Sequence, residues 1–154
     1  MKKTCLTLAV ILLAGCSSPF TEMPTFGEAK SRTDNYFNCG WGAYYDSPAC
    51  VDPGKDGRMD LSLASDSIIQ FWVSPPDDFN KDGPYFEQVS RARVYRMSIF
   101  MSRADRSAVV DYVSDVFGYE PGQVETALNT GAPVVRGPFR IRSVQNQLLI
   151  EKAE

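Results

Sequence analysis

Residues 89–118, VSRARVYRMSIFMSRADRSAVVDYVSDVFG, decide the fold class, because two kinds of hydrophobic spacing meet there. Residues 89–102 include β-branched and aromatic residues without Pro or Gly, which is typical of one long strand. Alternation predicts two faces for that strand: Arg91, Arg93, Tyr95, Met97, Ile99 and Met101 on one, and Ala92, Val94, Arg96, Ser98 and Phe100 on the other. From Ser102 to Phe117 the apolar residues follow helical spacing, and Gly118 is expected to end that helix.

Shorter patterns on either side complete the fold prediction. Residues 58–64 and 67–74 have the composition of strands, and a second helix is expected from Pro121 to Gly131. Strands are predicted again at 134–135, 139–144 and 147–151, with a hairpin turn at Gln145 and Asn146. Strands, then two helices, then strands predict an α+β fold. We therefore expect one small domain, mainly an antiparallel sheet with two helices packed on it, stapled by one disulfide.

The first residues have the features of an export signal. Lys2 and Lys3 precede an apolar run from Leu6 to Ala14, which is far shorter than the roughly 20 residues of a membrane-spanning helix. The run ends in the small pair Ala14-Gly15, which leads directly into Cys16. The segment Leu13-Ala14-Gly15-Cys16 resembles the lipobox of bacterial lipoproteins.

That resemblance implies a lipid anchor. In bacterial lipoproteins the cysteine receives a diacylglyceryl group, the signal is cut just before it, and the new amino end is acylated. Ser17, in place of an Asp, implies passage to the outer membrane with the domain in the periplasm. The division expected is a signal peptide at 1–15, a lipidated N-terminus and flexible tether at 16–35, and a globular domain at 36–154. The tether is predicted because residues 17–35 are polar, contain Pro and Gly, and show no periodicity.

The four cysteines then have separate explanations. Cys5 lies in the signal and Cys16 carries the lipid, so Cys39 and Cys50 remain as the only pair in an oxidising compartment. A disulfide between Cys39 and Cys50 is the economical assignment. In the loop-closure description it would remove roughly 3 kcal/mol of unfolded-chain entropy.

Charge and residue usage exclude several function classes. The chain has 16 Lys and Arg against 19 Asp and Glu, which makes nucleic acid an unfavourable partner. It has no histidine and, on the assignment above, no free thiol, so a Ser-His-Asp or Cys-His catalytic arrangement is excluded. A zinc site is nearly excluded as well, since neither imidazole nor thiolate ligands are available. Adjacent carboxylates such as Asp77 and Asp78 could serve glycosidase chemistry, but in a loop they are more simply solvated. We expect a non-catalytic protein without cofactor or metal.

One loop has part of a calcium-binding pattern. Residues 78–83, DFNKDG, match the first half of an EF-hand loop through Asp78, Asn80 and Asp82. The position that should hold a bidentate Glu is Val89 instead, and Glu87 comes two residues too early. Residues 52–57 match less well. A plain turn is the favoured interpretation, since Asp, Asn and Gly are also what tight turns select.

Two further groups of residues admit both a binding and a structural interpretation. The aromatic stretch at 36–45, with Trp41, Tyr44 and Tyr45, could bind a partner or a sugar, or fill the core of a small domain. Arg136, Arg140 and Arg142 could hold phosphate or carboxylate groups, with Arg140 and Arg142 on one strand face. The simpler interpretations, core packing and an ordinary polar face, are favoured for both groups.

The leading functional hypothesis is an outer-membrane lipoprotein that binds another envelope protein. Accessory or pilotin-like subunits of secretion, pilus or conjugation systems have this build, and a partner could add a strand at an edge somewhere within residues 136–150. The alternative is a protective inhibitor of a lysozyme-like enzyme or toxin, which needs a protruding loop at 39–50 or 77–85. A glycan-binding module with coplanar exposed aromatics is a third possibility.

Overall fold

One antiparallel sheet organises the part of the chain that the computed structural model describes, which is residues 18–37, 56–62, 67–80 and 82–154. Its six strands run in the spatial order β1-β2-β3-β6-β5-β4, and every neighbouring pair is antiparallel. The strands are β1 (Gly57–Ser62), β2 (Ile68–Ser74), β3 (Arg93–Phe100), β4 (Val134–Arg136), β5 (Phe139–Val144) and β6 (Gln147–Lys152). The predicted α+β class with an antiparallel sheet is confirmed.

Four α-helices accompany the sheet in the described ranges, where two were predicted. They are α1 (Phe26–Phe37), α2 (Tyr85–Ser90), α3 (Arg106–Phe117) and α4 (Pro121–Thr130), and a short 3₁₀ turn at Arg103–Asp105 precedes α3. The two predicted helices are α3 and α4. Gly118 and Gly131 end them with φ values of 75° and 69°, in the left-handed region that glycine adopts without a steric penalty.

The core lies between one face of the sheet and the helices. In β2 the side chains of Ile69, Phe71 and Val73 are fully buried, and the residues between them are not. Edge-to-face ring contacts tie helices to this face: Phe26 of α1 lies 5.4 Å from Phe71, and Phe117 of α3 lies 5.2 Å from Phe139. Each fully buried large side chain contributes about 1.5–3 kcal/mol relative to an exposed one.

The tether predicted for residues 16–35 is corrected over its described part. Helix α1 starts with a capping box, in which the Thr25 backbone N–H donates to Glu28 (2.8 Å) and the Glu28 N–H donates to the Thr25 hydroxyl (3.3 Å). Further along α1, the buried Thr33 hydroxyl lies 3.1 Å from that of Tyr112 in α3. The chain is already attached before the helix, because the Phe20 N–H donates to the Val116 carbonyl (2.8 Å). The domain therefore includes residues 18–35.

The long strand predicted at 89–102 is also corrected. Its first residues belong to α2, which begins after Pro84, and the strand itself runs only from Arg93 to Phe100. A bulge lies within it, since Trp72 pairs with Arg96 whereas Val73 pairs with Val94, which leaves Tyr95 as the extra residue. The bulge puts Val94 on the core face together with Met97, although strict alternation assigned these two residues to opposite faces.

Other parts of the prediction have mixed outcomes. The hairpin turn at Gln145 and Asn146 is confirmed, with φ values of 49° and 65°. Cys16, Cys39 and Cys50 lie outside the described residues, so the lipid attachment and the disulfide stay predictions. Across the ranges that are described, no helix combines the length and the apolar character needed to cross a bilayer.

Candidate functional site

The side of the sheet turned away from the core carries a row of polar and aromatic side chains, and we call this side the open face. Cross-strand neighbours in an antiparallel sheet point to the same side, so the strand pairing defines the row directly. Its members, from β1 to β4, are Arg58, Trp72, Arg96, Glu151, Arg140 and Val135. The row thus crosses all six strands, with a carboxylate between two arginines near its middle.

Three arginines surround the carboxylate of Glu151, and we call Arg96, Arg140, Arg142 and Glu151 the arginine cluster. The Glu151 side chain is buried, with 8% of its surface exposed. One of its oxygens lies 2.9 Å from Nε of Arg96, and the other lies 3.1 Å from Nη2 of Arg140 and 3.7 Å from Nε of Arg142. The cluster thus holds three positive charges against one negative charge.

The hydrogen-bonding capacity of the arginines is incompletely used. The 3.7 Å separation between Arg142 and Glu151 is too long for a hydrogen bond. Nε of Arg140 and Nε of Arg142 are shielded from solvent and have no acceptor in the described structure. A guanidinium presents five donors in a planar fork that fits a carboxylate or a phosphate. The two Nε atoms are out of reach of a ligand, but the side chains of Arg96, Arg140 and Arg142 are 44%, 32% and 41% exposed. The arginine cluster can therefore bind an additional anionic group on its exposed side.

At the opposite end of the open face, an arginine lies beside a carboxylate. Nε of Arg58 lies 2.9 Å from a carboxylate oxygen of Asp60, and Gln70 donates to the other oxygen at 3.4 Å. Trp72 separates this pair from the arginine cluster, and the guanidinium of Arg96 lies 5.8 Å from the centre of the Trp72 ring. Among the residues that the structure describes, the excess of positive charge on the open face is located on β3, β5 and β6.

A shallow depression of about 520 Å³ lies beside the cluster. Tyr95, Arg96, Arg140, Glu151 and residues 152–154 line it, so Glu154 adds one negative charge and Lys152 one positive charge at its rim. Burial, and the nearby carboxylate of Asp56, raise the pKa of Tyr95 above its ordinary value, so this phenol is neutral at physiological pH. The depression connects the arginine cluster to solvent.

The helix layer has the opposite charge. Among the described residues of α1, α3 and α4 with their capping positions, three are basic and seven are acidic: Lys30, Arg32 and Arg106 against Glu28, Asp34, Asp105, Asp111, Asp115, Glu120 and Glu125. Several of these are paired within the layer, such as Lys30 with Asp34 at 3.1 Å. The fold thus separates an acidic helix side from a basic open face.

The sequence analysis considered Arg136, Arg140 and Arg142 together, but in the structure Arg136 lies apart from the other two. Arg140 and Arg142 lie on the open face, as alternation predicted. Arg136 pairs with Phe139, whose side chain is buried in the core, and its guanidinium lies 3.5 Å from Glu120 at the start of α4. Arg96 is the member that the sequence analysis did not include, because its proximity to Glu151 depends on the register between β3 and β6.

The prediction of a free sheet edge within residues 136–150 is largely wrong. Strands β5 and β6 have neighbours on both sides, and only β4 lies at this edge of the sheet. β4 has three residues, of which Val135 is 58% exposed and belongs to the open-face row. An edge this short is a common protection against uncontrolled strand pairing.

The calcium-like loop forms a turn attached to the domain. Both carboxylate oxygens of Asp78 contact Arg91 (3.0 and 3.1 Å), while the Asn80 side chain accepts the Asp82 N–H at 3.0 Å. The buried Gln88 side chain holds the loop, accepting from the Asn80 N–H (2.6 Å) and donating to the Asn80 carbonyl (2.9 Å). Within the described residues no group of three acidic, His or Cys side chains could hold a metal ion.

The described end of the aromatic stretch at 36–45 belongs to the helix layer. The Tyr36 and Phe37 rings lie 5.5 and 5.3 Å from that of Tyr112, and the Tyr36 hydroxyl donates to Asp115. Burial and this carboxylate raise the pKa of Tyr36 to about 12. Desolvation likewise raises the pKa of Tyr119 to about 12. Trp41, Tyr44 and Tyr45 lie outside the described residues.

Comparison of the chain with family models, with curated proteins and with solved structures finds no match. The functional conclusion therefore rests on the residues and the geometry of this chain.

Proposed function

We propose that this protein is a non-catalytic lipoprotein of the outer membrane, acylated on Cys16, whose domain lies in the periplasm and binds another envelope protein. An accessory or pilotin-like role in a secretion, pilus or conjugation system fits this description. The proposal combines the lipobox resemblance at residues 13–16 with one structural observation, the point at which the chain joins the folded domain.

That attachment begins two residues after the proposed lipid site. The Ser18 carbonyl accepts a hydrogen bond from Arg32 (2.6 Å), and the Phe20 ring lies 5.8 Å from that of Phe117. The Cα atoms of Cys16 and Ser18 can be at most about 7 Å apart. An acyl group on Cys16 would therefore hold the end of the helix layer close to the lipid surface.

This arrangement supports a binding role for the open face. Residues 18–20 contact α1 and α3, on the core side of the sheet, so the anchor would lie on the side away from the arginine cluster. Two or more acyl chains give stable membrane attachment, whereas one gives only marginal binding. A stably anchored domain would then present its open face to other periplasmic proteins at high local concentration.

The described part of the 77–85 loop gives the inhibitor alternative no support. Phe79 is buried in the core, and its ring lies 6.2 Å from that of Tyr85. Together with the Gln88 contacts, this holds the loop against the domain, whereas entry into an enzyme cleft needs a protruding loop.

The lipid anchor is tested by C16S in the full-length gene, expressed in a bacterium that exports lipoproteins. We expect the wild-type protein to fractionate with outer membranes and to carry acyl mass on a fragment that begins at Cys16. The variant is expected to lose both. C5S is the matched control, because it removes a thiol from the signal and should leave fractionation unchanged. Unchanged membrane fractionation of C16S, or a wild-type protein without acyl mass, would contradict the anchor.

The binding role is tested by photo-crosslinking in intact cells. A photoreactive residue at Val135, on the open face, is expected to give a discrete crosslinked product with an envelope protein. The same residue at Asp111, exposed on α3, serves as the control and should not give that product. Equal products from both positions, or none from Val135, would count against a partner on the open face.

A further inference from the structure

We infer that the arginine cluster is a docking site for an acidic segment of the partner protein, in which carboxylates contact Arg140 and Arg142. This inference rests on the proposed function and names the chemistry of its partner. It concerns side chains for which the sequence analysis favoured an ordinary polar face.

The first argument is the excess of donors over acceptors. An arginine cluster that only stabilised the sheet would need about as many carboxylates as guanidinium groups, because like charges held close together repel one another. Here, within the part of the chain that the structure describes, a single carboxylate lies within 4 Å of three guanidinium groups. Arg142 is 41% exposed in its side chain and is the group farthest from Glu151, so it is the first available to an incoming carboxylate.

The second argument is the surface next to the cluster. Trp72 and Leu149 are half-buried on the open face, where Trp72 pairs with Arg96 and Leu149 pairs with Arg142. Val135 is exposed at the end of the row. An extended peptide that crosses the strands would meet apolar side chains on either side of the arginines. Burial of apolar surface supplies binding energy there, while the arginines fix the position of the acidic side chains.

The third argument concerns which anion is bound. Anionic lipid headgroups would suit the same guanidinium groups, but the proposed anchor lies on the opposite side of the sheet, with the acidic helix layer between the lipid and the cluster. The positive open face is therefore directed toward other periplasmic proteins. An acidic segment is also attracted to this face over distances of about 10 Å, the screening length in moderate salt.

The test uses the full-length acylated protein in detergent and a fluorescent oligoglutamate peptide as the probe, with oligoglutamine as the neutral control. We expect oligoglutamate alone to bind, with an affinity that falls as salt is raised. The variant R140Q/R142Q is expected to lose about tenfold or more in affinity, since charge-assisted bonds to both side chains are removed. R91Q/R103Q changes the net charge equally at exposed positions away from the open face, and should stay within about twofold of wild type.

Two further variants separate docking from structural support of the sheet. E151Q removes the carboxylate that competes for the arginines, so it should bind oligoglutamate several-fold more tightly than wild type. R142Q alone removes a guanidinium that makes no hydrogen bond to Glu151, so it should keep the wild-type thermal unfolding and still lose affinity. If E151Q and R142Q both kept the wild-type affinity for oligoglutamate, with the fold intact, the inference would be overturned.

The last part of the binding test uses vesicles of phosphatidylglycerol as a competitor. If the vesicles displace the peptide from wild type, bind wild type more tightly than the peptide does, and bind R140Q/R142Q more weakly than wild type, the cluster recognises lipid phosphate and the inference is wrong. The outcome is independent of the anchor experiment. A protein that is acylated and located in the outer membrane but ignores oligoglutamate would retain the proposed function and lose this docking site.

Discussion

The two faces of the sheet differ in how completely their side chains are satisfied. On the covered face, the strand residues Ile69, Phe71 and Ile141 are fully buried among apolar neighbours from the helices. Among the described residues of the open face, three arginines share one carboxylate, and their side chains stay partly exposed. The covered face therefore accounts for the fold, and the open face is where binding capacity remains.

The charge distribution follows the same division. Acidic side chains predominate on the helix side, and basic side chains predominate on β3, β5 and β6. Acidic residues outnumber basic ones in residues 17–88, and basic residues outnumber acidic ones in residues 89–154. Both halves contribute strands to the same sheet, so these charges lie within one domain. Among the described residues the arginines are not all neutralised by acidic neighbours, since the arginine cluster keeps two more cations than anions.

The largest effect is expected from breaking the covered face. F71A removes a fully buried ring that contacts Phe26, and such truncations cost about 3–5 kcal/mol from lost burial and the cavity left behind. This is a large part of the 5–15 kcal/mol typical of a small domain. Urea unfolding of the full-length protein, followed by tryptophan fluorescence, measures it. A cost below about 1 kcal/mol would mean that Phe71 is not part of the core.

An intermediate effect is expected on the open face. E151A leaves three guanidinium groups without a carboxylate, and removal of a buried charged acceptor costs about 1–3 kcal/mol. The cost stays below that of F71A because the arginine side chains are between 32% and 44% exposed and remain hydrated. R142Q is the matched control and should cost less than about 1 kcal/mol. If E151A and R142Q lowered the free energy of unfolding equally, Glu151 would be no more important for stability than Arg142.

How much of this could be read from the sequence depends on whether a signal was local. Helices α3 and α4 were predictable because each combines an apolar period with a terminating glycine. Helix α1 was missed because its buried side is narrow, limited to Phe26, Ala29 and Thr33. Its capping pair, Thr25 and Glu28, was nevertheless present in the sequence and could have marked the start of the helix.

The candidate site was only partly predictable for a different reason. Alternation along β5 placed Arg140 and Arg142 on one face, which needs no knowledge of the neighbouring strand. Arg96 and Glu151 join them through the pairing of β3 with β6, two strands that are separated in the chain by α3, α4, β4 and β5. The bulge at Tyr95 also shifts the faces within β3, and a count of alternate residues does not reveal it.

The smallest expected effect concerns solution conditions: stability on the helix side should depend on high pH, and the open face should depend on salt. The raised pKa of Tyr36, about 12, lies above the ordinary tyrosine value of about 10. The stability that depends on the neutral phenol is therefore complete below about pH 10, and it is lost as the pH rises toward 12 because the unfolded chain ionises first. The open face should respond to salt instead, since its arginines are partly hydrated and screened.

Y36F tests this division. Without the phenol, the fall in unfolding free energy between about pH 10 and about pH 12 should become shallower, although part of it should remain because Tyr119 also has a pKa of about 12. At neutral pH the variant should lose only about 0.5–1 kcal/mol, the typical value of one hydrogen bond. The salt dependence of oligoglutamate binding should be unchanged, because Tyr36 contacts Asp115 on the helix side and not the arginine cluster. A pH profile identical to wild type would show that Tyr36 ionises as freely in the folded as in the unfolded chain, and a changed salt dependence would show that the two faces are coupled.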